Sequence, residues 1–219
     1  MTLDWSIVWL NKAALAEGAM MTIVLTVLTM LLAVPIGIVL AFMRLSPFRI
    51  LSMTSQCFVE LFRNIPLILI VYWSFYVIPI LLPIQFSAFT TGLIALVLCV
   101  SAYNAETFRA GINSVRAGQT QAGLALGMSQ WQVMVEIILP QAIRRVLPIL
   151  ATTWVSLFKD TSLVSVIAVG ELAHVALQIR SQSFRVLEML TAMAIIYWMM
   201  GYPQAKLSDW VRSKFEVKE

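Results

Sequence analysis

Charged side chains are scarce in this sequence. Only 12% of its 219 residues are Asp, Glu, Lys or Arg, whereas 60% are hydrophobic. Soluble domains carry roughly a quarter charged residues. The composition therefore excludes an ordinary soluble domain and predicts that much of the apolar surface faces a lipid bilayer. The net charge of +4 gives no reason to expect a nucleic acid partner.

Residues that build catalytic and metal sites are also few. Cys57 and Cys99 lie in apolar surroundings without CxxC spacing, and His174 is the one histidine. This pattern predicts neither a disulfide framework nor a metal site. No nucleophile stands beside a general base, so we expect no catalytic residue and no enzymatic activity in this chain.

A nucleotide-binding motif is missing as well. The phosphate-loop pattern G-x-x-x-x-G-K-[ST] does not occur, and no glycine directly precedes a lysine anywhere in the chain. We therefore expect the chain itself to hold no cofactor. Any ATP and Mg²⁺ that its function requires must be bound by a separate partner.

What the sequence does contain is a series of long apolar runs. A bilayer core of roughly 30 Å requires about 20 apolar residues per helix. The runs predict an all-α polytopic membrane protein, a single domain over residues 1–219 with five transmembrane helices at about 19–43, 54–82, 88–112, 143–170 and 187–207. Trp5–Ala16 has amphipathic spacing and is predicted to lie on the membrane surface before the first span. Pro66 predicts that the second span is a broken helix.

Basic residues fix the predicted orientation. Ten of them fall on one side of the five-span arrangement and three on the other. Because Lys and Arg accumulate in cytoplasmic loops, this asymmetry places the N-terminus outside and the C-terminus inside. The ten are Arg44, Arg49, Arg109, Arg116, Arg144, Arg145, Lys206, Arg212, Lys214 and Lys218, and the three are Lys12, Arg180 and Arg185.

Charged residues inside the predicted spans mark a candidate substrate pathway, because such residues are costly in hydrocarbon. The candidates are Arg63, Asn64, Pro66, Lys159, Asp160, Thr161 and Ser162. Asp160, Thr161 and Ser162 are also N-cap residue types that could begin a half-helix. Structural alternatives stay open: Arg63 pairs with Glu60 or extends to the headgroups, and Lys159 and Asp160 hold helices together. Glu106 and Arg109 have the spacing of a structural pair.

Residues 118–140 form a segment that is predicted to face the cytoplasm. Small residues alternate with apolar ones from Ala122 to Ala125, and such a helix can approach another protein closely. Gly127 permits a sharp turn at its end. The segment is therefore predicted to dock onto a partner, the alternative being an amphipathic helix that lies on the membrane.

The spacing within this segment resembles the EAA loop of ABC importer permeases: a triplet, three residues, a glycine, nine residues, then Ile-x-Leu-Pro. Gln121 and Gly123 depart from the Glu-Ala-Ala triplet. The residues that carry the resemblance are Gln121, Ala122, Gly123, Gly127, Ile137, Leu139 and Pro140. In that family the loop forms a coupling helix seated in a groove of the ATPase, so the resemblance implies that these residues and Ala125 couple transport to ATP hydrolysis.

Three further runs are similar to permeases of polar amino acid importers. They are Phe62–Leu67, Ser101–Gly111 and Leu157–Leu163. The resemblance implies the type I ABC importer permease fold in a bacterial inner membrane. It also implies a second permease subunit, identical or paralogous, a pair of ATPase subunits and a periplasmic amino acid binding protein.

The run Arg63–Leu67, followed by Tyr72, Trp73 and Tyr76, most resembles the glutamate/aspartate branch. The candidate pathway contains two cations, Arg63 and Lys159, and one carboxylate, Asp160. This set complements a dicarboxylic amino acid, which carries two carboxylates and one ammonium group. The alternative is glutamine or a cationic amino acid. A secondary amino acid transporter would need ion-coupling carboxylates and an internal repeat, and the sequence shows neither.

Overall fold

Helices and the turns between them make up the part of the chain that the computed structural model describes, residues 3–215, which contains no β-strand. Lys218, one of the basic residues used for the orientation, lies outside this range. The helices are α1 Ser6–Leu10, α2 Lys12–Leu45, α3 Arg49–Asn64, α4 Leu67–Leu81, α5 Ala88–Asn113, α6 Ala117–Ala125, α7 Gln130–Ile167, α8 Leu172–Ser183 and α9 Val186–Phe215.

Three of these helices, α2, α5 and α9, are long and apolar enough to cross a membrane. Two bent pairs also qualify: α3 and α4 meet at 105°, and α7 and α8 meet at 47°. The count is therefore three, or up to five if each pair is one span, and the prediction of five spans stays a prediction. The break that Pro66 predicted is present.

The helix bounds differ from the predicted ones at two places. The predicted surface stretch Trp5–Ala16 is divided, because α1 ends at Leu10 and residues from Lys12 onward belong to the long helix α2. The chain from Gln130 to Ile167 is also one continuous helix, so no break separates the predicted coupling segment from the predicted fourth span. Within this continuous helix, Val133–Ile138 is π-helical, so the helix is locally wider there but does not end.

Close packing of α2 against α5 forms the centre of the fold. A Cβ added at Gly37 of α2 would lie 2.7 Å from the Asn104 Cβ and 3.2 Å from the Ser101 carbonyl oxygen of α5. Small residues allow such backbone approach between membrane helices. Around this contact lies a buried cluster from α2, α4, α5 and α7 that includes Leu25, Ala33, Ile70, Val71, Leu96, Val100, Leu157 and Val164.

A second cluster joins the N-terminal helices to α8 and α9. Gly18 allows α2 to approach α8, since an added Cβ there would lie 3.0 Å from the Leu172 Cα. At the other end of the cluster, the Asp4 amide donates to the Glu188 carboxylate at 3.0 Å. Arg185 lies within ion-pair distance of both carboxylates. The N-terminal segment is therefore fastened to the beginning of α9.

The α2–α5 crossing gives the first prediction. Replacing Gly37 with Ala forces the added methyl group against the base of the Asn104 side chain, so the two helices must separate. Overpacking of this kind costs about 1–3 kcal/mol. We expect a lower midpoint in thermal unfolding of the purified protein followed by tryptophan fluorescence.

Gly201→Ala is the matched control. A Cβ at Gly201 meets Phe158 at 3.5 Å, an ordinary contact distance. This variant should unfold at or near the wild-type temperature. Equal midpoints for the Gly37 and Gly201 variants would show that the close approach at Gly37 does not limit stability.

Candidate substrate cavity and coupling segment

The corner between α3 and α4 is built by the residue pair Ile65–Pro66. Ile65 is extended, with φ −97° and ψ 131°, as a residue before proline prefers. The Asn64 side-chain amide donates to the Glu60 carbonyl at 2.7 Å, and the Leu69 amide donates to the Pro66 carbonyl at 2.9 Å. These two local hydrogen bonds flank the corner, one at the end of α3 and one at the beginning of α4.

Arg63 lies at this corner and is held against α5. Its guanidinium carbon is 5.6 Å from the centre of the Tyr103 ring, and the Tyr103 hydroxyl donates to the Arg63 carbonyl at 3.4 Å. The alternative of an Arg63–Glu60 pair is wrong: the Glu60 carboxylate accepts from the Gln56 amide at 2.7 Å, and no ion pair joins it to Arg63 within residues 3–215.

A cavity of about 380 Å³ opens beside the corner, between α3, α4, α5 and α7. Its volume is in the range of small-molecule sites. Phe62, Ile65 and Leu67 form one apolar wall. The polar lining residues are Tyr103, Thr107, Thr152, Thr153, Ser156 and Asp160. Asp160 is the one charged member of the lining, so the cavity offers a carboxylate and several hydroxyl groups to a polar ligand.

Lys159 faces a different cavity from Asp160. It lines a space of about 490 Å³ between α7 and α9, together with Trp198 and Tyr202. Consecutive residues of a helix point about 100° apart, so the two side chains lie on different faces of α7. The structure therefore separates the predicted set. Asp160 lines the cavity beside the α3–α4 corner, and Lys159 lines the other cavity. Arg63, Asn64 and Pro66 lie at the corner but are not lining residues of the Asp160 cavity.

The predicted half-helix start at Asp160 is wrong. Asp160 has helical angles, φ −68° and ψ −19°, and makes no side-chain cap. The hydroxyl of Thr161 donates back to the Phe158 carbonyl at 2.8 Å, and that of Ser162 donates to the Lys159 carbonyl at 2.7 Å. The helix continues through them into tighter 3-10 turns. Thr161 is buried, and Ser162 lines the Lys159 cavity.

Glu171 is a residue that the sequence reasoning missed. It is fully buried and caps α8, where its carboxylate accepts from the amides of Ala173 at 2.8 Å and His174 at 2.6 Å. The Tyr197 hydroxyl of α9 donates to the same carboxylate at 2.8 Å. The Thr22 hydroxyl of α2 accepts from the next amide, that of Leu172. A Gly-Glu pair before an apolar run was the available signal for a helix start.

Glu106 and Arg109 form the structural pair that their spacing predicted. Two hydrogen bonds join them, of 3.0 and 2.5 Å, and the Arg44 guanidinium of α2 lies 3.5 Å from the same carboxylate. The cluster fastens the end of α5 to the end of α2. Neither Glu106 nor Arg109 lines the cavity that contains Asp160.

Helix α6 contains the triplet Gln121, Ala122 and Gly123. Gln121, Ala122 and Ala125 are exposed, whereas Gly123 is buried against its own chain. A Cβ added at Gly123 would lie 2.7 Å from the Val133 Cγ2 atom and 3.0 Å from the Ile137 Cδ1 atom. The interpretation of Gly123 as part of a surface open to a partner is therefore corrected: its small size seats α6 on α7.

Gly127 ends α6 in the left-handed conformation, with φ 81°. The Met128 amide donates to the Gly123 carbonyl at 3.1 Å, and the Gly127 amide donates to the Leu124 carbonyl at 3.0 Å. This is a Schellman motif, which favours glycine at that position. The predicted sharp turn is present. No heavy atom lies within 4 Å of a Cβ added at Gly127, so the requirement is conformational.

The remaining motif residues lie at the beginning of α7. Ser129 and Gln132 form a capping box that begins the helix. Ile137 packs into a cluster with Val115, Met128 and Val133, while Leu139 is half-buried and Pro140 is exposed. Large apolar side chains are exposed around the turn: Leu124 is 43% exposed, Leu126 81% and Trp131 72%. Helix α6 and the turn after it thus present an apolar face.

Comparisons with known proteins agree with this architecture. Residues 33–214 match the family described as the binding-protein-dependent transport system inner membrane component. The glutamate/aspartate import permease GltK of Escherichia coli is 32% identical over 218 residues, 96% of this chain and 97% of that protein. The glutamine transport permease GlnP of Escherichia coli is 35% identical over 198 residues, 90% of each chain.

A solved structure described as an amino acid ABC transporter with histidines has a TM-score of 0.92 and 31% identity. The match covers 98% of this chain and 100% of that one. The chain belongs to the inner-membrane component family of binding-protein-dependent transport systems, and it is an amino acid permease of the ABC importer type.

Proposed function

We propose that this permease translocates acidic amino acids, glutamate or aspartate, through the cavity that contains Asp160. The observation that carries the proposal is that Asp160 shares one cavity with Tyr103, the ring over which the Arg63 guanidinium lies. In this proposal Asp160 binds the ammonium group of a substrate. The hydroxyl groups of Thr152, Thr153 and Ser156 can hydrogen-bond to it as it passes.

The Arg63 corner is the second half of the proposed site. Arg63 follows Phe62, precedes Ile65 and lies over Tyr103, and these three line the cavity. A guanidinium at the rim can pair with a carboxylate of the substrate in bidentate fashion. Asn64 and Pro66 shape the corner without reaching into the cavity. Glutamine is the second candidate, because GlnP is as similar to this chain as GltK.

Membership of the family supports the rest of the proposed assembly. A separate pair of ATPase subunits hydrolyses ATP, a second permease completes the pathway, and a binding protein delivers the amino acid from outside. In our proposal the chain crosses the bacterial inner membrane five times, with α3–α4 and α7–α8 as two of the spans. Its N-terminus is outside and its C-terminus inside.

Helix α6 and the turn after it are the proposed ATPase contact. The exposed face consists of Gln121, Ala122 and Ala125 with Leu124 and Leu126. Its apolar character suits a protein groove, and Gly123 keeps its other side on α7. Movement of the ATPase subunits on ATP binding would reach α7 through this contact.

The substrate proposal predicts different effects for neighbouring residues. Asp160→Asn removes the charge that binds the ammonium group, and loss of a charge-assisted hydrogen bond costs about 1.5–3 kcal/mol. We expect uptake into proteoliposomes to fall by roughly tenfold to a hundredfold for every amino acid transported. Arg63→Gln should lower uptake of glutamate and aspartate more than that of glutamine.

Lys159→Gln is the matched control for Asp160→Asn, since Lys159 lies in the other cavity. It should leave relative uptake of glutamate, glutamine and arginine unchanged. Basal ATPase activity and recovery of the assembled complex are measured for all variants. Unchanged uptake in assembled Asp160→Asn complexes would show that this cavity is not part of the substrate pathway. Equal losses of glutamate and glutamine uptake in Arg63→Gln would contradict a role of Arg63 in specificity for acidic amino acids.

The coupling proposal predicts that Gly127→Val uncouples transport, because a β-branched residue is strained at φ 81°. Substrate-stimulated ATPase activity and uptake should both fall, and the ATPase should co-purify less well. Gly127→Asn is the matched control, since Asn tolerates the left-handed conformation, and it should retain most activity. Wild-type coupling in the Val variant would contradict the assignment.

The proposed topology predicts opposite labelling of the two ends of the chain. Cys57 is exposed and must first be changed to Ser, while Cys99 is buried. In that background, Ser6→Cys should react with a membrane-impermeant maleimide in intact spheroplasts. Ser213→Cys should react only after permeabilisation. Reaction of both cysteines from one side would show that the number of spans is even.

A further inference from the structure

One face of α9 carries lysines and aromatic rings in alternation, at a spacing of four residues. Tyr202, Lys206, Trp210 and Lys214 form what is here named the lysine–aromatic stripe. The Lys206 ammonium lies 5.7 Å from the centre of the Tyr202 ring, and the Lys214 ammonium lies 4.8 Å from that of Trp210. Residues four apart occupy adjacent places on a helix surface, so the four side chains form a continuous row.

The row is exposed along its length. Tyr202 is 51% exposed and Trp210 54%, and both lysines are exposed. No ion pair engages either lysine among residues 3–215. From Lys206 to Phe215 the helix carries three cations, the two lysines and Arg212, against one carboxylate, Asp209. The end of α9 therefore presents excess positive charge together with aromatic surface.

The length of α9 places this row at a membrane surface. Its 30 residues span about 45 Å, whereas the hydrocarbon core is roughly 30 Å thick. With one interface assigned to the charged pair Arg185 and Glu188 at the start of the helix, a core of roughly 30 Å ends about 20 residues later, near Ala205. Lys206 and Trp210 then fall in the headgroup region, and Lys214 lies about 14 Å beyond Ala205, at the aqueous edge of that region.

An apolar groove adjoins the row on the side of the hydrocarbon core. Tyr202 belongs to the row and also lines the cavity of about 490 Å³ between α7 and α9. Most of that lining is apolar, including Val155, Phe158 and Met193, and its one charged residue, Lys159, is also a cation. A ring contact of 5.5 Å between Trp198 and Tyr202 continues the aromatic surface into the groove.

We propose that the lysine–aromatic stripe and this groove bind one anionic phospholipid, with its phosphate at Lys206 and an acyl chain between α7 and α9. Lys214, two turns further along α9, adds to the positive potential that attracts the headgroup. Charge complementarity selects the occupant: cations at the headgroup depth beside an apolar groove match an anionic amphiphile. A basic residue near an anionic membrane surface contributes about fivefold in binding, and Tyr and Trp favour the same depth.

The test uses the assembled importer in nanodiscs that contain a photoactivatable phospholipid. Phosphatidylglycerol and phosphatidylcholine carrying the same reactive acyl chain are compared, and the labelled peptides are mapped by mass spectrometry. We expect phosphatidylglycerol to label the α7 and α9 segments around Phe158 and Trp198 several times more strongly than phosphatidylcholine. Each of Lys206→Gln and Lys214→Gln should reduce that preference roughly fivefold.

Two controls separate charge from folding and from position. Lys206→Arg with Lys214→Arg keeps both cations and should keep the preference. Lys12→Gln removes a lysine that lies 4.3 Å from the Trp9 ring at the opposite end of the bundle, and it should not change labelling at α9. Equal labelling by the two lipids would overturn the proposal. So would crosslinks from this face to another subunit in place of lipid, because they would show that protein covers it.

Discussion

Every backbone amide and carbonyl inside a bilayer must find a partner within the protein, and this constraint governs the whole structure. Helices satisfy it along their length, so each interruption needs a local substitute. At the α3–α4 corner the substitutes are the Tyr103 hydroxyl, which donates to the Arg63 carbonyl, and the Pro66 carbonyl, which accepts from the Leu69 amide. Between α7 and α8 they are the Glu171 carboxylate and the Thr22 hydroxyl. At both interruptions, side chains therefore supply hydrogen bonds to backbone groups that the helices leave unpaired.

Those interruptions also position the candidate site. The corner turns the chain by 105° and places Phe62 and Ile65 on the wall of the cavity that contains Asp160. On the opposite wall, Asp160 stands just before the helix tightens into 3-10 turns and ends at the second interruption. Helix α5 lies between the two walls, and its close contact with α2 at Gly37 holds α5 in position.

The features that the sequence predicted are those set by local chemistry. Apolar runs located the long helices, Pro66 located the corner, and Gly127 located the turn after α6, because each depends on residues within one or two turns. Features that depend on residues far away in the sequence could not be predicted. Nothing local showed that Gly123 faces Val133 or that Tyr197 completes the cap at Glu171. The directions of Lys159 and Asp160 required the neighbouring helices, α9 and α5, to be in place.

The continuity of α7 joins the two halves of the proposed function. Gly123 seats α6 on the π-helical stretch Val133–Ile138, and the same helix runs without a break to Asp160. From Ile137 to Asp160 it extends about 35 Å at 1.5 Å per residue. In the proposed function, a displacement applied at α6 would therefore reach the cavity wall along one continuous helix, without a chain of side-chain rearrangements. Because packed helix interfaces shift between discrete arrangements, such a lever can open the cavity to one side of the membrane at a time.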